Sequence, residues 1–274
     1  MQPTNANRKP PYGKGTIMRI EDLERIFPTA NLPTPSGDLR FHTPNSACLW
    51  RVQTLLTKEP DTIAWIDAMP PTATLFDVGA NMGQYSLYAA SRGLTVHAFE
   101  PDSQNFALLC RNLAINGDIG KRVTAWPIAL TDRVGLDKFH AVALQYGSSC
   151  HSFGAQSGFN GEPKQFAFSH GGYSATLDSF CFDQRISPHY IKIDVDGLEP
   201  AVIRGAINLL SGASGSVPPA SVLIELNSNL PAHLDVIQVM AAHGYTHDEA
   251  AAVASRRTEG PFVGVGNVVF YLQK

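Results

Sequence analysis

Charge is scarce in this chain of 274 residues: Asp, Glu, Lys and Arg make up 16% of it, against a usual share of about 25%. What charge there is nearly balances, with 21 Lys and Arg against 24 Asp and Glu and a formal net charge of −3. That excludes a polybasic nucleic-acid binder, and nothing favours an anionic membrane surface as partner. Cysteine is sparse too. Cys48, Cys110, Cys150 and Cys181 form no C-x-x-C pair and no His/Cys cluster at zinc spacing, so each reads as an idle or buried thiol. No apolar run approaches the ~20 residues of a membrane-spanning helix. Residues 1–15, rich in Pro, Asn and Lys, lack the apolar stretch of a secretory signal, and a soluble, cytoplasmic protein is expected. Apolar residues are plentiful. At 44% of the chain, they suffice for a core and exclude disorder as the main state.

Residues 1–16 read as a flexible leader and 17–70 as a partly helical extension. Within the extension, Ile20, Leu23 and Ile26 predict a short helix over 17–27, and residues 39–43 read as an edge strand. Leu49, Val52, Leu55 and Leu56 predict a helix over 46–57. A further helix is expected over 61–69, with Asp61 as its N-cap. From residue 71 to 274 the pattern alternates. Strands are predicted at 74–78, 94–99, 123–130, 190–195 and 221–226, and helices at 83–92, 102–116, 199–210 and 231–243. Two last strands, 245–248 and 265–272, follow with no helix between them. Residues 134–186, rich in Gly, Ser, His and Phe, show no helical period and read as an insertion. Alternating strands and helices imply an α/β fold with a mostly parallel sheet. The closing strands imply an antiparallel hairpin at one edge.

Open parallel sheets bind ligands beyond the carboxyl ends of their strands. The loop after the first of these strands, DVGANMGQYS (Asp77–Ser86), is the leading candidate. Gly79 and Gly83 allow a sharp turn and a close approach of backbone to ligand. Glu100 stands 21 positions after Gly79 at the end of the next strand, where an acid accepts hydrogen bonds from ribose hydroxyls. A dinucleotide site needs G-x-G-x-x-G, and here its second and third positions are Asn81 and Gln84. A P-loop's closing G-K-[ST] is also absent. A ligand with a ribose and no pyrophosphate fits better. S-adenosylmethionine is such a ligand, which leaves a nicotinamide reductase as a weak rival.

The loop, then AFEPD (Ala98–Asp102), then YIKIDVDGLE (Tyr190–Glu199), resembles the FkbM family of S-adenosylmethionine-dependent methyltransferases. LIEL (Leu223–Leu226) and GNVVFYL (Gly266–Leu272) are similar to its usual ending, so the resemblance runs from about residue 70 to the C-terminus. It implies the Rossmann-like class I methyltransferase fold, with a seven-stranded sheet. It also implies cofactor contacts from Asp77, Gly79, Ala80, Asn81, Gly83, Tyr85 and Ser86 in the loop. Glu100, Pro101 and Asp102 would add theirs, with Asn105 in the following helix, Ala129 on the third strand and Asp194 on the fourth. The family methylates hydroxyls of sugars and secondary metabolites. TKEPDTIAWID (Thr57–Asp67) is similar to members that accompany polysaccharide biosynthesis. The implied acceptor is therefore a small molecule or a glycan precursor. A cofactor-binding protein without turnover is the rival from another class. Asp196 departs from the family's common Glu by one methylene.

Methyl transfer to a hydroxyl needs alignment, water exclusion and a proton acceptor. Asp194, Asp196 and Glu199 lie at the end of the fourth strand, with Asp194 the first candidate for the base. Glu199 suits the positive N-terminus of its helix, and Asp196-Gly197 suits a turn. The same three acids have the spacing to hold Mg²⁺ without requiring it. Glu225, on the fifth strand, is a candidate to orient the acceptor. The insertion brings His140, His151 and His170 with several aromatics beside the same mouth, as packing residues or as a sugar platform. His170, next to a Gly171-Gly172 hinge, is the competing base, and the glycine content of the insertion suits a lid.

Overall fold

The computed structural model describes residues 27–273. The leader expected over 1–16 and the helix expected over 17–27 lie outside them, Phe27 apart. Two short antiparallel strands come first, β1 (Thr29–Leu32) and β2 (Leu39–His42). Helix α1 (Ser46–Lys58) follows, capped by Asn45, whose side chain accepts from the Cys48 N–H. In α2 (Pro60–Asp67) the N-cap residue is Glu59, not Asp61, because proline favours the first helical position. The chain continues through β3 (Thr74–Val78), α3 (Gln84–Ser91), β4 (Thr95–Phe99), α4 (Ser103–Ile115), α5 (Gly117–Gly120) and β5 (Val123–Trp126). Then come β6 (Ala129–Leu130), β7 (Gly135–Ala141), β8 (Ser152–Phe153), β9 (Phe168–Ala175) and α6 (Leu177–Gln184). The last part holds β10 (Tyr190–Ile193), α7 (Glu199–Arg204), α8 (Ile207–Ser211), β11 (Ser221–Asn227), α9 (Pro231–Ala242), β12 (Tyr245–His247), α10 (Glu249–Ala254) and β13 (Val265–Leu272).

The main sheet has seven strands in the order β12-β13-β11-β10-β3-β4-β5. β13 runs antiparallel to both its neighbours, and the other pairings are parallel. This is the Rossmann-like sheet expected of a class I methyltransferase. Its central strands are covered on both faces, which is why β3 reads as a continuous apolar run. One face packs Leu75, Leu87 and Val96 against Phe41, Val52, Leu55 and Ile66, so residues 27–70 share the core of the sheet. The other face packs Phe76, Phe99, Ile191 and Val222 against Val202, Val236 and Met240. Chain order leaves β3 in both directions, so the crevice opens between the carboxyl ends of β3 and β10.

Four expectations are corrected. The strand expected over 123–130 stops at Trp126. Pro127 has no N–H for a ladder, and β6 passes into a second sheet of order β6-β9-β7-β8. The insertion contains a helix, α6, started by a capping box between Thr176 and Ser179. The helix expected over 199–210 is two helices broken at Gly205, where an added Cβ would lie 2.1 Å from the Thr131 carbonyl oxygen. Between β12 and β13 stands α10, whose cap Asp248 accepts from the Ala251 N–H. The alanines there have high helix propensity, and the Gly260-Pro261 turn lies beyond its end.

Candidate active site

The turn after β3 is fixed by close backbone approach. At Gly79, φ is +86° and a Cβ would stand 1.8 Å from the Asp194 carbonyl oxygen, so no other residue fits. Its N–H and that of Ala80 donate to the Phe99 carbonyl. Gly83, at φ +84°, leaves room for Leu109. Behind the turn, Ser86 donates to buried Asp77, whose carboxyl burial pushes above the usual range.

In front of it lies a cleft of about 880 Å³, counted to its open mouth. Of the residues expected to contact a cofactor, Gly79, Ala80, Asn81, Tyr85, Glu100, Pro101, Asn105, Ala129 and Asp194 line it. Asp77, Gly83, Ser86 and Asp102 do not appear among its walls and support it from behind. Asp102 caps α4, accepting from the N–H groups of Gln104 and Asn105. Glu100 is 5% exposed and accepts from the Asn81 N–H at 2.7 Å and the Asp102 N–H at 2.8 Å. Burial nonetheless raises it to about 8.

Three cations that sequence reasoning missed also line the cleft: Arg51 and Lys58 of α1, and Lys192 of β10. Lys192 is buried, 3.1 Å from Asp194 and 3.8 Å from Asp77, with its ammonium 5.1 Å from the Tyr85 ring centre. Burial alone would lower its pKa, but the Asp194, Asp77 and Glu59 carboxylates outweigh that and hold it above an ordinary lysine. Burial alone would raise Asp194, but Lys192, Lys58 and Arg51 hold it below the usual carboxylate range. A lysine in the middle of a doubly covered strand needs a buried counter-charge, and that was the available signal for Lys192. At β10 it stands in register with Asp77. For Arg51 the sequence holds no comparable signal, since its partner, the Gly147 carbonyl, lies far along the chain; Lys58 pairs with the adjacent Glu59 at 2.6 Å.

Replacing Lys192 with Met is expected to cost about 3–5 kcal/mol at neutral pH, because it strands two carboxylates in a site built for their partner. Urea denaturation reads this directly. The deficit should shrink toward acid pH, where the stranded acids are neutralised. An unchanged midpoint would refute the ion-pair reading.

The insertion roofs the cleft through residues 148–153. The Ser148 carbonyl accepts from Asn81 Nδ2 at 2.8 Å and Asn105 Nδ2 at 3.0 Å. Arg51 donates to the Gly147 carbonyl, and Asn45 to that of Tyr146. His151 lines the cleft and His170 does not. His170 stacks on Phe139 at 5.1 Å within the paired strand β9, and the Gly171-Gly172 pair, expected as a hinge, lies in that strand. A Cβ at Gly172 would meet the Phe153 ring at 2.9 Å.

Next to the cleft is a narrow recess, with room for about one water molecule, lined by Phe159, Asp196, Glu199, Glu225, Asn227, His233 and Phe262. Asp196 belongs to the walls of both spaces. It holds φ +56° and accepts from the Cys150 N–H at 2.6 Å. Burial, with the Asp194 charge, raises it to about 6. Glu199 accepts from the Val195 and Gly197 N–H groups, and burial raises it to about 8. Glu225 faces the recess rather than the cleft, takes a 3.0 Å hydrogen bond from Arg257, and is raised well above a normal carboxyl by burial and Asp194. The three acids considered for Mg²⁺ therefore turn to different partners. Among the described residues no group of three or more His, Cys, Asp or Glu is arranged to hold a metal ion.

These shifts set a pH dependence. Glu100 and Glu199 ionise near 8 in the folded protein and near 4.3 unfolded. Between those values the folded state binds more protons, so its stability falls as pH rises. The buried histidines His42, His97, His151 and His233, lowered by burial, act below about 6.5 with the opposite sign. The melting temperature of the cofactor-free protein should therefore fall between about pH 7 and about pH 8. In Glu199→Gln the slope should be shallower. A rising melting temperature over that window would contradict the assignment.

Residues 77–246 match the Methyltransferase FkbM domain. No curated protein sequence matches the chain. Among solved structures it is similar to methyltransferase FkbM from Methylobacillus flagellatus KT, at 15% identity and TM-score 0.46, over 82% of this chain and 53% of that one. It is also similar to magnesium protoporphyrin IX methyltransferase of Synechocystis PCC 6803 with bound SAM, at 12% identity and TM-score 0.48, over 84% and 85% of the two chains. Precorrin-6y C5,15-methyltransferase of Geobacter metallireducens GS-15 gives 10% identity and TM-score 0.45, over 78% and 87%. Among the described residues no helix is long and apolar enough to cross a membrane. The domain match spans well over half of the sequence, and the chain belongs to the FkbM family of S-adenosylmethionine-dependent methyltransferases.

Proposed function

We propose that the enzyme methylates a hydroxyl of a saccharide or glycan precursor. The observation that carries this reading is Asp196, a carboxylate in the wall between the cleft and the recess with a pKa of about 6. The cleft suits S-adenosylmethionine. Ile128, Leu130 and Phe153 offer apolar surface to a purine. Glu100 is a buried acceptor for a ribose diol, since each oxygen keeps a lone pair beyond the backbone bond it makes. Asp194 matches an ammonium group, and Arg51 and Lys58 match a carboxylate. When bound, the cofactor supplies an electrophilic methyl group on a sulfonium centre.

The chain's own groups then divide the work. Asp196 is ionised at neutral pH yet basic enough to take a hydroxyl proton as the new bond forms. Asp194, held ionised by Lys192, is the weaker base and supplies negative charge. Glu225, Asn227 and His233 give the narrow recess hydrogen-bonding groups suited to a single hydroxyl, and the Phe159 and Phe262 rings, 4.7 Å apart, give it an apolar wall. Residues 134–186 act as a lid through the Ser148 latch, and the segment before residue 70 completes the mouth. The resemblance of residues 57–67 supports an acceptor from polysaccharide assembly.

The test is incubation with S-adenosylmethionine and a panel of cell-derived sugars, nucleotide sugars and glycans. Mass spectrometry should find a gain of one CH₂ on a sugar oxygen, with release of S-adenosylhomocysteine. A methylated product bearing the group on nitrogen or carbon would overturn the reading.

A further inference from the structure

One buried donor in the cleft has no protein partner. His151 is 8% exposed, lines the cleft and packs against Phe139 at 5.2 Å. Its Nδ1 accepts from the Val142 N–H at 3.1 Å, so the lone pair is on Nδ1 and the neutral ring carries its proton on Nε2. Burial lowers the pKa, outweighing the Asp102 charge and the nearby Ser148 carbonyl, and keeps the ring neutral; that carbonyl already accepts from Asn81 and Asn105, which fills its two lone pairs. Nε2 is buried and has no hydrogen-bond partner among the described residues. Buried polar atoms rarely stay unpaired, so a fixed donor here calls for an acceptor on a ligand.

The surroundings say which part of a ligand. The charges that act on His151 are Asp102, the α4 cap that directly follows Glu100 and Pro101, and more weakly Lys164 and Arg51. Ser148, on the same loop, is held by Asn81 and Asn105, and the Asn81 N–H is bonded to Glu100. His151 therefore belongs to the Glu100 end of the cleft rather than to the Lys192–Asp194 end. Apolar Ile128, Ala129, Leu130 and Phe153 complete the lining. A flat heterocycle with in-plane acceptor nitrogens fits a neutral donor among apolar walls.

We propose that His151 donates from Nε2 to a ring nitrogen of the cofactor's adenine, which makes the insertion part of the cofactor site. This rests on the reading of the cleft as the S-adenosylmethionine site.

The test uses the full-length protein and calorimetry. The probes are adenosine, S-adenosylmethionine and the three adenosine analogues in which one ring nitrogen is replaced by C–H. The wild type should bind at least one analogue about tenfold more weakly than adenosine. His151→Asn keeps an acceptor near the Nδ1 position for Val142 but loses the donor. It should bind adenosine and S-adenosylmethionine each about tenfold more weakly and lose that discrimination. His151→Gln, which carries an amide N–H near the Nε2 position, should restore it. Equal binding of all analogues by the wild type, or discrimination retained in His151→Asn, would overturn the proposal. So would a loss seen with S-adenosylmethionine and not with adenosine, which would put His151 at the other end. Failure of the wild type to bind either ligand would instead refute the cleft assignment, and this proposal with it.

Discussion

Glu100→Ala is expected to raise the dissociation constant for S-adenosylmethionine by roughly 10²–10⁴-fold. Two hydrogen bonds from a ribose diol to a buried carboxylate are lost, each worth about 1.5–3 kcal/mol. Part of the loss comes from the empty site. The same carboxylate holds the N–H groups of Asn81 and Asp102, and alanine leaves both without their acceptor. Glu100→Gln separates the two contributions, because it keeps one acceptor oxygen in nearly the same shape. Its affinity should fall between wild type and Ala. A second readout is pH. In the cofactor-free protein Glu100 ionises near 8, and hydroxyl donors favour its charged form. Wild-type affinity should therefore climb as pH rises toward about 8 and level off above it, with proton release on binding. In Glu100→Ala that slope should be gone. Unchanged affinity in a folded Glu100→Ala protein would mean that the ribose is held elsewhere.

Much of this site was legible in the sequence because its chemistry is local. The turn at Gly79 needs glycine for a reason contained in a few residues, and Glu100 follows at the spacing that two successive parallel strands impose. The strand over 74–78 came out with its true bounds, since an apolar run closed by a glycine has little freedom. What stayed hidden depends on distant segments. The third strand's exit into a second sheet turns on Pro127 and on a partner, β9, more than 40 residues away in sequence. The helix α10 was lost to the nearby Gly-Pro turn, although its Asp248 cap and its alanines were in plain view. Lys192 was not singled out within its strand. Only the register with Asp77 and the bond to Asp194 reveal a buried ion cluster. That cluster also changes the chemistry: with Lys192 beside it, Asp194 is charged but weakly basic. Of the two aspartates at that strand end the more basic is Asp196, which turn propensity alone had made look ordinary.

The last expectation follows from that exchange of roles. Asp196→Asn should lower kcat by about 10²–10⁴-fold while leaving S-adenosylmethionine affinity close to wild type. The substitution is mild for the fold. Asparagine tolerates the left-handed conformation that residue 196 adopts at φ +56°, and its side-chain oxygen can still accept from the Cys150 N–H. It cannot take a proton. In the wild type, activity should fall below about pH 6 as Asp196 protonates. That acid limb should be absent from the residual activity of the variant. Asp194→Asn should behave differently. It leaves the buried Lys192 ammonium with Asp77, at 3.8 Å, and the more distant Glu59 charge, so stability and cofactor affinity should fall together, and the acid limb near 6 should persist. The two variants assayed side by side, with melting curves for both, decide the matter. If Asp196→Asn turns over near the wild-type rate while Asp194→Asn loses kcat at unchanged cofactor affinity, the base is Asp194. Lys192 would then have to give up its hold on that carboxylate during turnover. If both variants keep their kcat, neither carboxylate takes the proton.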